Sequence, residues 1–211
     1  SLLLAAGFLV GMPWIVQPIL AAAATLLLHD VARRQYGTYT ALMAVVLMAS
    51  SPFLHLMSGS FLSHIPAMFF ATCLLFWTMR YIDNPSGKVA AMAGISLGGM
   101  LFCREVGALL YGLPIGSYIL ASIWRDRKRR LKSVLPGTIS LAIVALVYLL
   151  YNWVQTGNPL LLPRLLNFSG DRFGFGPGVG FYGQHTPAAG LVNTDELLTS
   201  LGFYLFGWPF Y

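Results

Sequence analysis

Six stretches of this chain are almost purely apolar, at 13 to 32, 38 to 57, 61 to 80, 88 to 104, 106 to 124 and 133 to 154. A helix rising about 1.5 Å per residue needs about 20 such residues to cross a hydrocarbon layer about 30 Å thick. In that layer no water is available to the backbone, so a crossing segment must pair its own N–H and C=O groups, as a helix does. The fourth and fifth stretches adjoin. Run together, 88 to 124 would make a rod of roughly 55 Å, too long for one crossing, so the spacing predicts a break near "CREVG". Residues 1 to 10 are too short to cross and are followed by Gly11 and Pro13; they read as an interfacial helix or the stub of a longer segment.

Composition agrees with this reading. Asp, Glu, Lys and Arg make up 9% of the residues, against about 25% in soluble domains, and the mean hydropathy is +0.70. A soluble domain of this length would lack the polar surface that keeps it dispersed in water. The expected fold is therefore all-α, a polytopic transmembrane helix bundle with about six spanning helices. It divides into a bundle over 1 to 154, an extracytoplasmic substrate-binding loop over 155 to 195, and a juxtamembrane helix or the start of a further membrane helix over 196 to 211. The chain begins "SLLLAAGFLV", without Met or the basic start of a signal peptide, and stops within the apolar "LFGWPFY". It is expected to be part of a longer protein.

The net charge of +6 is a topology signal rather than a nucleic-acid footprint. Arg33 and Arg34, then Arg80 and Lys88, then the six basic residues of "WRDRKRRLK" fall in three connections that alternate with three nearly uncharged ones. Ten of the 13 Lys and Arg thus share one side, which the positive-inside rule makes cytoplasmic. The other side holds "MSGSFLSHIP", the turn at Arg104 and Glu105, and the segment from about 155 to 195. The multi-pass chain is accordingly expected in a cell inner membrane, with its long loop extracytoplasmic. Cys73 and Cys103 lack metal-ligand spacing and read as small core residues.

Arg104 and Glu105 are the sharpest local feature. A charged residue deep in a membrane helix costs about 2.5 to 3.5 kcal/mol on insertion scales, so such residues pair, snorkel to the interface or serve a site. Adjacent helical positions do not face one another, which rules out a simple mutual pair. In "SGSFLSHIP", Ser63 or His64 stands near a helix start with Pro66 in the first turn; His64 there either caps or helps hold an anionic group or relay a proton. His29 and His55 read as interfacial or packed. "DRFGFGPGVGFYGQHTP" contains a formal GxGxxG at Gly178, Gly180 and Gly183, but no strand precedes it and no helix opens at it, so its glycines read as turn formers and its aromatics as a surface for a sugar or lipid headgroup. "NTDELL" reads as a helix start capped by Asn193 or Thr194. Gly94 and Gly98 read as a helix-packing face. "NFS" at 167 to 169 is a glycosylation sequon, meaningful in a secretory-pathway host.

Over nearly its whole length the chain also resembles a known family. "ARRQYGTYTALMAVVLMASSPFLHLMSGSFLSHIPAMFF", "LFCREVGALLYGLPIG", "YNWVQTGNPLLLPRLLNFSGDRFGFG", "HTPAAGLVNT" and "LFGWP" are similar, in order and spacing, to a bacterial branch of the GT-C integral-membrane glycosyltransferases. Its relatives include the protein O-mannosyltransferases and the lipid A aminoarabinose and galacturonic acid transferases. The resemblance implies transfer of a sugar from a polyprenyl-phosphate carrier to an extracytoplasmic acceptor. It places the catalytic carboxylate in an outer loop upstream of Ser1, so that this stretch alone is expected to be inactive. It implies that Arg104 pairs with the carrier phosphate, although many relatives have Arg-Pro where this chain has Arg-Glu. His64, Arg172 and His185 become candidates for donor or acceptor contacts, with Asp171 orienting Arg172, and Glu105 is counted with them among the substrate-binding residues. The segment from 164 to 187 would close over the lipid-linked sugar. The partners implied are a polyprenyl-phosphate-linked sugar and membrane lipid, with no nucleic acid; no cofactor is predicted and a divalent metal is left open. A transporter or flippase of a lipid-linked sugar, with inverted repeats and interrupted helices, is the alternative, and a structural membrane subunit a third.

Overall fold

The computed structural model describes residues 2–125, 127–172, 174–180 and 183–202. The chain divides into two compact units, Ser1–Tyr148 and Leu149–Tyr211.

The first unit is a helix bundle. A short α1 (Leu2–Leu9) is separated from α2 (Pro13–Tyr36) by Val10, Gly11 and Met12, with Pro13 in the first turn of α2, where its missing N–H costs nothing. Gly37 ends α2 at φ +87, a left-handed value that L side chains resist, and α3 (Thr38–Ala49) begins at the next residue. The second apolar stretch departs from a continuous span. It breaks at Ser50 and Ser51 into α3 and α4 (Pro52–Ser58), bent by 58°. Pro52 cannot continue the helix, and the ends so exposed are repaired locally: Ser51 Oγ accepts from Leu54 N at 3.4 Å, and His55 Nε2 donates to Ala49 O at 2.7 Å.

Next come α5 (His64–Asp83), α6 (Gly87–Cys103), α7 (Glu105–Arg125) and α8 (Arg127–Thr156). Among the described residues four helices, α2, α5, α7 and most of α8, are long and apolar enough to cross a membrane; the bent α3–α4 pair makes a fifth if counted as one span, and α6 is a shorter apolar helix. The all-α polytopic bundle expected from the sequence is what forms, with one of its six stretches broken and one short. The break at "CREVG" falls where length required it. Arg104 alone leaves the helical conformation, at φ −155 and ψ 104.

Close packing follows the small residues. A Cβ on Gly98 would lie 2.5 Å from Val144, and one on Gly137 2.7 Å from Ala90 O, while Ser140 Oγ donates to Ala91 O at 2.9 Å. Gly94, as the small-residue spacing predicts, is likewise held against α8, at Gly137. Buried Ala71, Met100 and Ala108 tie α5, α6 and α7 together near Arg104.

The two ends of this bundle differ chemically. At one, Asp30 is ion-paired with Arg34 at 2.9 Å, Arg33 at 3.2 Å and Arg80 at 3.7 Å, Arg34 reaches Asp83 at 3.5 Å, and Tyr81 and Ser133 share a hydroxyl hydrogen bond of 2.8 Å. The other end carries His64, Arg104, Glu105 and the Gln17–Leu62 bond.

The second unit is less bare than a structureless loop. It contains α9 (Arg164–Asn167), a two-stranded antiparallel hairpin of β1 (Gly176–Pro177) and β2 (Gln184–His185), and α10 (Pro187–Ser200). "NTDELL" does not start a helix. It lies inside α10, which Thr186 caps by accepting from Ala189 N at 3.1 Å, with Pro187 at the first position; this earlier pair of start signals prevails, and Thr194 turns its hydroxyl back to Gly190 O. Positions 203 to 211, which hold most of the expected terminal segment, lie outside the described residues, as do Phe173, Phe181 and Tyr182.

Replacing Gly137 by Val is expected to destabilise the bundle by about 1–3 kcal/mol, because the added carbons meet backbone of α6. Gly116→Ala, where a Cβ meets nothing within 4 Å, is expected to be neutral or to raise stability by up to about 1 kcal/mol. Thermal unfolding of the detergent-solubilised variants reads both.

Candidate functional site

The turn between α6 and α7 is one residue long. Arg104 donates its N–H to Met100 O at 2.8 Å and accepts from Ala108 N at 3.0 Å, so its backbone closes one helix and opens the next. Its backbone needs are thus met locally. The side chain, exposed at the end of the bundle, is left for other work.

Opposite it stands His64, the first residue of α5. Ser63 occupies the cap position without a side-chain cap bond, and Ile65, Pro66 and Ala67 are buried, which seats the first turn of α5 firmly. Arg104 Nη2 lies 3.0 Å from His64 Nε2. A guanidinium only donates, so Nε2 accepts; the imidazole in this geometry is neutral, with its proton on Nδ1. The Phe53 ring packs edge-on against the same imidazole, centroids 6.2 Å apart.

Glu105 is drawn elsewhere. Tyr148 OH donates to its Oε1 at 2.9 Å, and Tyr148 itself is buried against Phe102 with ring centroids 5.3 Å apart. The carboxylate next in sequence to Arg104 is therefore directed toward α8. Among the described residues Arg104 makes no ion pair with any carboxylate. The result is a positive charge at the positive end of the α5 dipole, steadied by a neutral imidazole, with spare donors facing outward. Such an arrangement suits an oxyanion, phosphate above all, to which a guanidinium offers a planar fork of donors.

Behind this pair, Gln17 of α2 is only 1% exposed and donates through Nε2 to Leu62 O at 2.8 Å, two residues before His64. It fixes the approach to α5. Gln17 and Tyr148 escaped sequence reasoning. Gln17 carried a usable signal, a polar amide within an apolar run; Tyr148 carried none.

Of the residues singled out from sequence, the structure brings Arg104 and His64 together, and Glu105 joins them through the chain but not through a bond. Asp171, Arg172 and His185 belong to the second unit. Asp171 does not orient Arg172: it forms an ion pair with Arg164 at 3.0 Å, whereas Arg172 Nε donates to Ser169 O at 3.0 Å. The reason is local, since α9 presents Arg164 back across the turn, while the side chain next in sequence points away. His185 stacks on Phe175, centroids 5.2 Å apart and planes at 14°, and the formal GxGxxG is the tip of the hairpin, where Gly178, Gly180 and Gly183 all take positive φ and Gly178 N donates to Gly183 O at 2.7 Å. Among the described residues no group of three or more His, Cys, Asp or Glu is placed to hold a metal ion.

Fold and site together define a polytopic all-α membrane protein with a cationic turn, unneutralised by any described carboxylate, at one end of its bundle. The model of the dolichyl-phosphate-mannose-protein mannosyltransferase family matches residues 6–154, and the chain belongs to that family. It is a membrane glycosyltransferase of the mannosyltransferase type, in keeping with the resemblance to GT-C enzymes. No curated protein and no solved structure matches it.

Tyr148→Phe and Glu105→Ala, each of which removes one partner of the bond between them, are expected each to destabilise the first unit by about 1–3 kcal/mol. The double variant is expected to fall short of the sum, because the two act through one hydrogen bond. Unfolding midpoints of the three variants measure the coupling.

Proposed function

We propose that this protein transfers a sugar from a polyprenyl-phosphate carrier to an acceptor at the extracytoplasmic face of a cell inner membrane, with Arg104 holding the carrier phosphate. The observation that carries this reading is the hydrogen bond of 3.0 Å between Arg104 and His64 at a helix break, with Glu105 held instead by Tyr148. A neighbouring carboxylate paired with Arg104 would cancel the charge that a phosphate needs. Here the carboxylate is occupied.

In such a transfer the acceptor's nucleophilic atom bonds to the sugar's anomeric carbon and yields its proton to a base, the bond between that carbon and the phosphate oxygen breaks, and negative charge grows on the phosphate, which stays on its carrier. A fixed guanidinium beside that oxygen stabilises the developing negative charge more strongly in the transition state than in the ground state, which is how it accelerates the step. His64, neutral and accepting at Nε2, adds orientation: it holds the guanidinium at one angle so that no reorganisation is needed as the charge develops. Its place at the positive end of α5 adds to the attraction for an anion.

In the second unit Arg172 and His185 are the candidates for sugar contacts. Arg172 is exposed, with its Nε already bound to Ser169 O, and His185 lies flat against Phe175, a planar surface of the kind sugars pack on. Asp171 acts there through Arg164 rather than through Arg172. The interrupted α3–α4 pair is a feature the transporter reading also expects, but membership of a mannosyltransferase family supports group transfer instead.

The test is sugar transfer by membranes containing the full-length protein, supplied with a panel of polyprenyl-phosphate sugars. Arg104→Ala is expected to lower transfer by about 10²–10³-fold, the range seen when one donor to a developing oxyanion is removed, with an unchanged unfolding midpoint. Arg104→Lys, which keeps the charge and loses the fork, is expected to fall between. Unchanged transfer rate and donor affinity in Arg104→Ala would remove the assignment.

A further inference from the structure

Of the Asp, Glu, Lys and Arg between residues 1 and 148, all but Arg104 and Glu105 belong to the three basic connections or stand within a turn of them. The end of the first unit that holds the candidate site therefore carries one cation and one anion. His64 adds no charge there, because its Nε2 accepts from Arg104.

The two charges do not meet. Arg104 turns to His64 at 3.0 Å, while Glu105 Oε1 accepts from Tyr148 OH at 2.9 Å. Tyr148 is buried and packed edge-on against Phe102, so its hydroxyl is a fixed point on α8. A hydroxyl holds a carboxylate without discharging it, whereas an arginine or lysine in that place would offset its charge. Neighbouring Cα atoms stand about 3.8 Å apart and the two side chains diverge, so a phosphate on the Arg104 fork would lie on the order of 10 Å from the Glu105 carboxylate. That is too far for a contact and near enough for a field.

The ligand of such a site changes its own charge during the reaction. A loaded carrier is a phosphodiester with one negative charge. In transfer the acceptor atom bonds to the anomeric carbon and gives its proton to a base, while the electron pair of the broken carbon–oxygen bond stays on the phosphate. The spent carrier is a monoester, whose second ionisation falls near pH 6, so it holds about two charges at neutral pH.

We propose that Glu105 is a specificity-determining residue that distinguishes the spent carrier from the loaded one: its fixed carboxylate weakens binding of the additional negative charge and so favours release of the polyprenyl phosphate. Tyr148 is the positioning residue that keeps the carboxylate at its distance. The inference rests on the Arg104 reading and adds a second charge to that site. A unit charge about 10 Å away, partly screened by water, changes affinity about fivefold for each charge on the ligand. The diester meets that factor once and the monoester twice. Product release limits turnover in many enzymes, which gives such discrimination a use.

The experiment is titration calorimetry of the full-length protein in detergent at pH 8, with a short-chain polyprenyl phosphate and with its methyl ester, a diester of the same chain. Glu105→Gln, which keeps an acceptor for Tyr148 and so the fold, is expected to tighten the methyl ester about fivefold and the phosphate about 25-fold, a change of about fivefold in their ratio. Glu105→Asp, which retains the charge, is expected to keep the wild-type ratio. A role confined to fastening α7 to α8 would move both ligands together. An unchanged ratio in Glu105→Gln, or the same rise in Glu105→Asp, would overturn the proposal. So would a wild type that binds the phosphate more than about tenfold tighter than its methyl ester, a comparison that needs no variant. Arg104→Ala separates the two readings, since it is expected to weaken both ligands. If it leaves both affinities untouched, the Arg104 assignment falls and this inference with it; loss of both beside an unchanged Glu105→Gln ratio overturns this inference alone.

Discussion

A helix that crosses hydrocarbon must keep its backbone bonds to itself, and every interruption must be repaired within a residue or two. That constraint decides where chemistry can sit in this chain. Gly37, the Ser50–Ser51 break and Arg104 are interruptions of the bundle, and at the last two of them side chains or neighbouring backbone take up the freed groups: Ser51 and His55 at one, Met100 O and Ala108 N at the other. Arg104 is the case with consequences. Because its own N–H and C=O complete two helices, the break can be a single residue long, and that residue can be a strongly charged one.

The two ends of the bundle then separate by function. Asp30 gathers three arginines at one end, a network that fastens α2 to α5 where the chain turns. At the other end the arginine is deliberately left without a carboxylate among the described residues: Tyr148 occupies Glu105, and His64 supplies a neutral partner that orients Arg104 without cancelling it. The same residue type is structural in one place and available in the other. What differs is the company it keeps.

Much of this was legible in the sequence because hydrocarbon imposes a length. The six apolar stretches, the forced break at Arg104 and the small-residue contact of Gly94 and Gly98 all follow from spacing alone. What spacing could not supply was the pairing of residues far apart in the chain: Arg104 and His64 were each conspicuous, but their bond depends on how α5 and α6 pack, and Tyr148 is one tyrosine among ten until the fold sets it against Glu105. Misreadings came where two local signals competed. Asn193 and Thr194 look like caps, yet Thr186 with Pro187 starts the same helix earlier. Asp171 and Arg172 are neighbours in sequence, and the turn after α9 sends the carboxylate to Arg164. The break in the second stretch needed Pro52 to be weighed above length.

The account rests on the Arg104 end facing the compartment opposite the basic connections. Single cysteines at Ser63 and at Ser86, in a protein whose Cys73 and Cys103 are replaced by alanine, probe the two ends directly with a membrane-impermeant maleimide in intact cells. Ser63→Cys is expected to label from outside, and Ser86→Cys only after the membrane is permeabilised. Labelling of both from the same side, or of Ser86→Cys alone in intact cells, would contradict it.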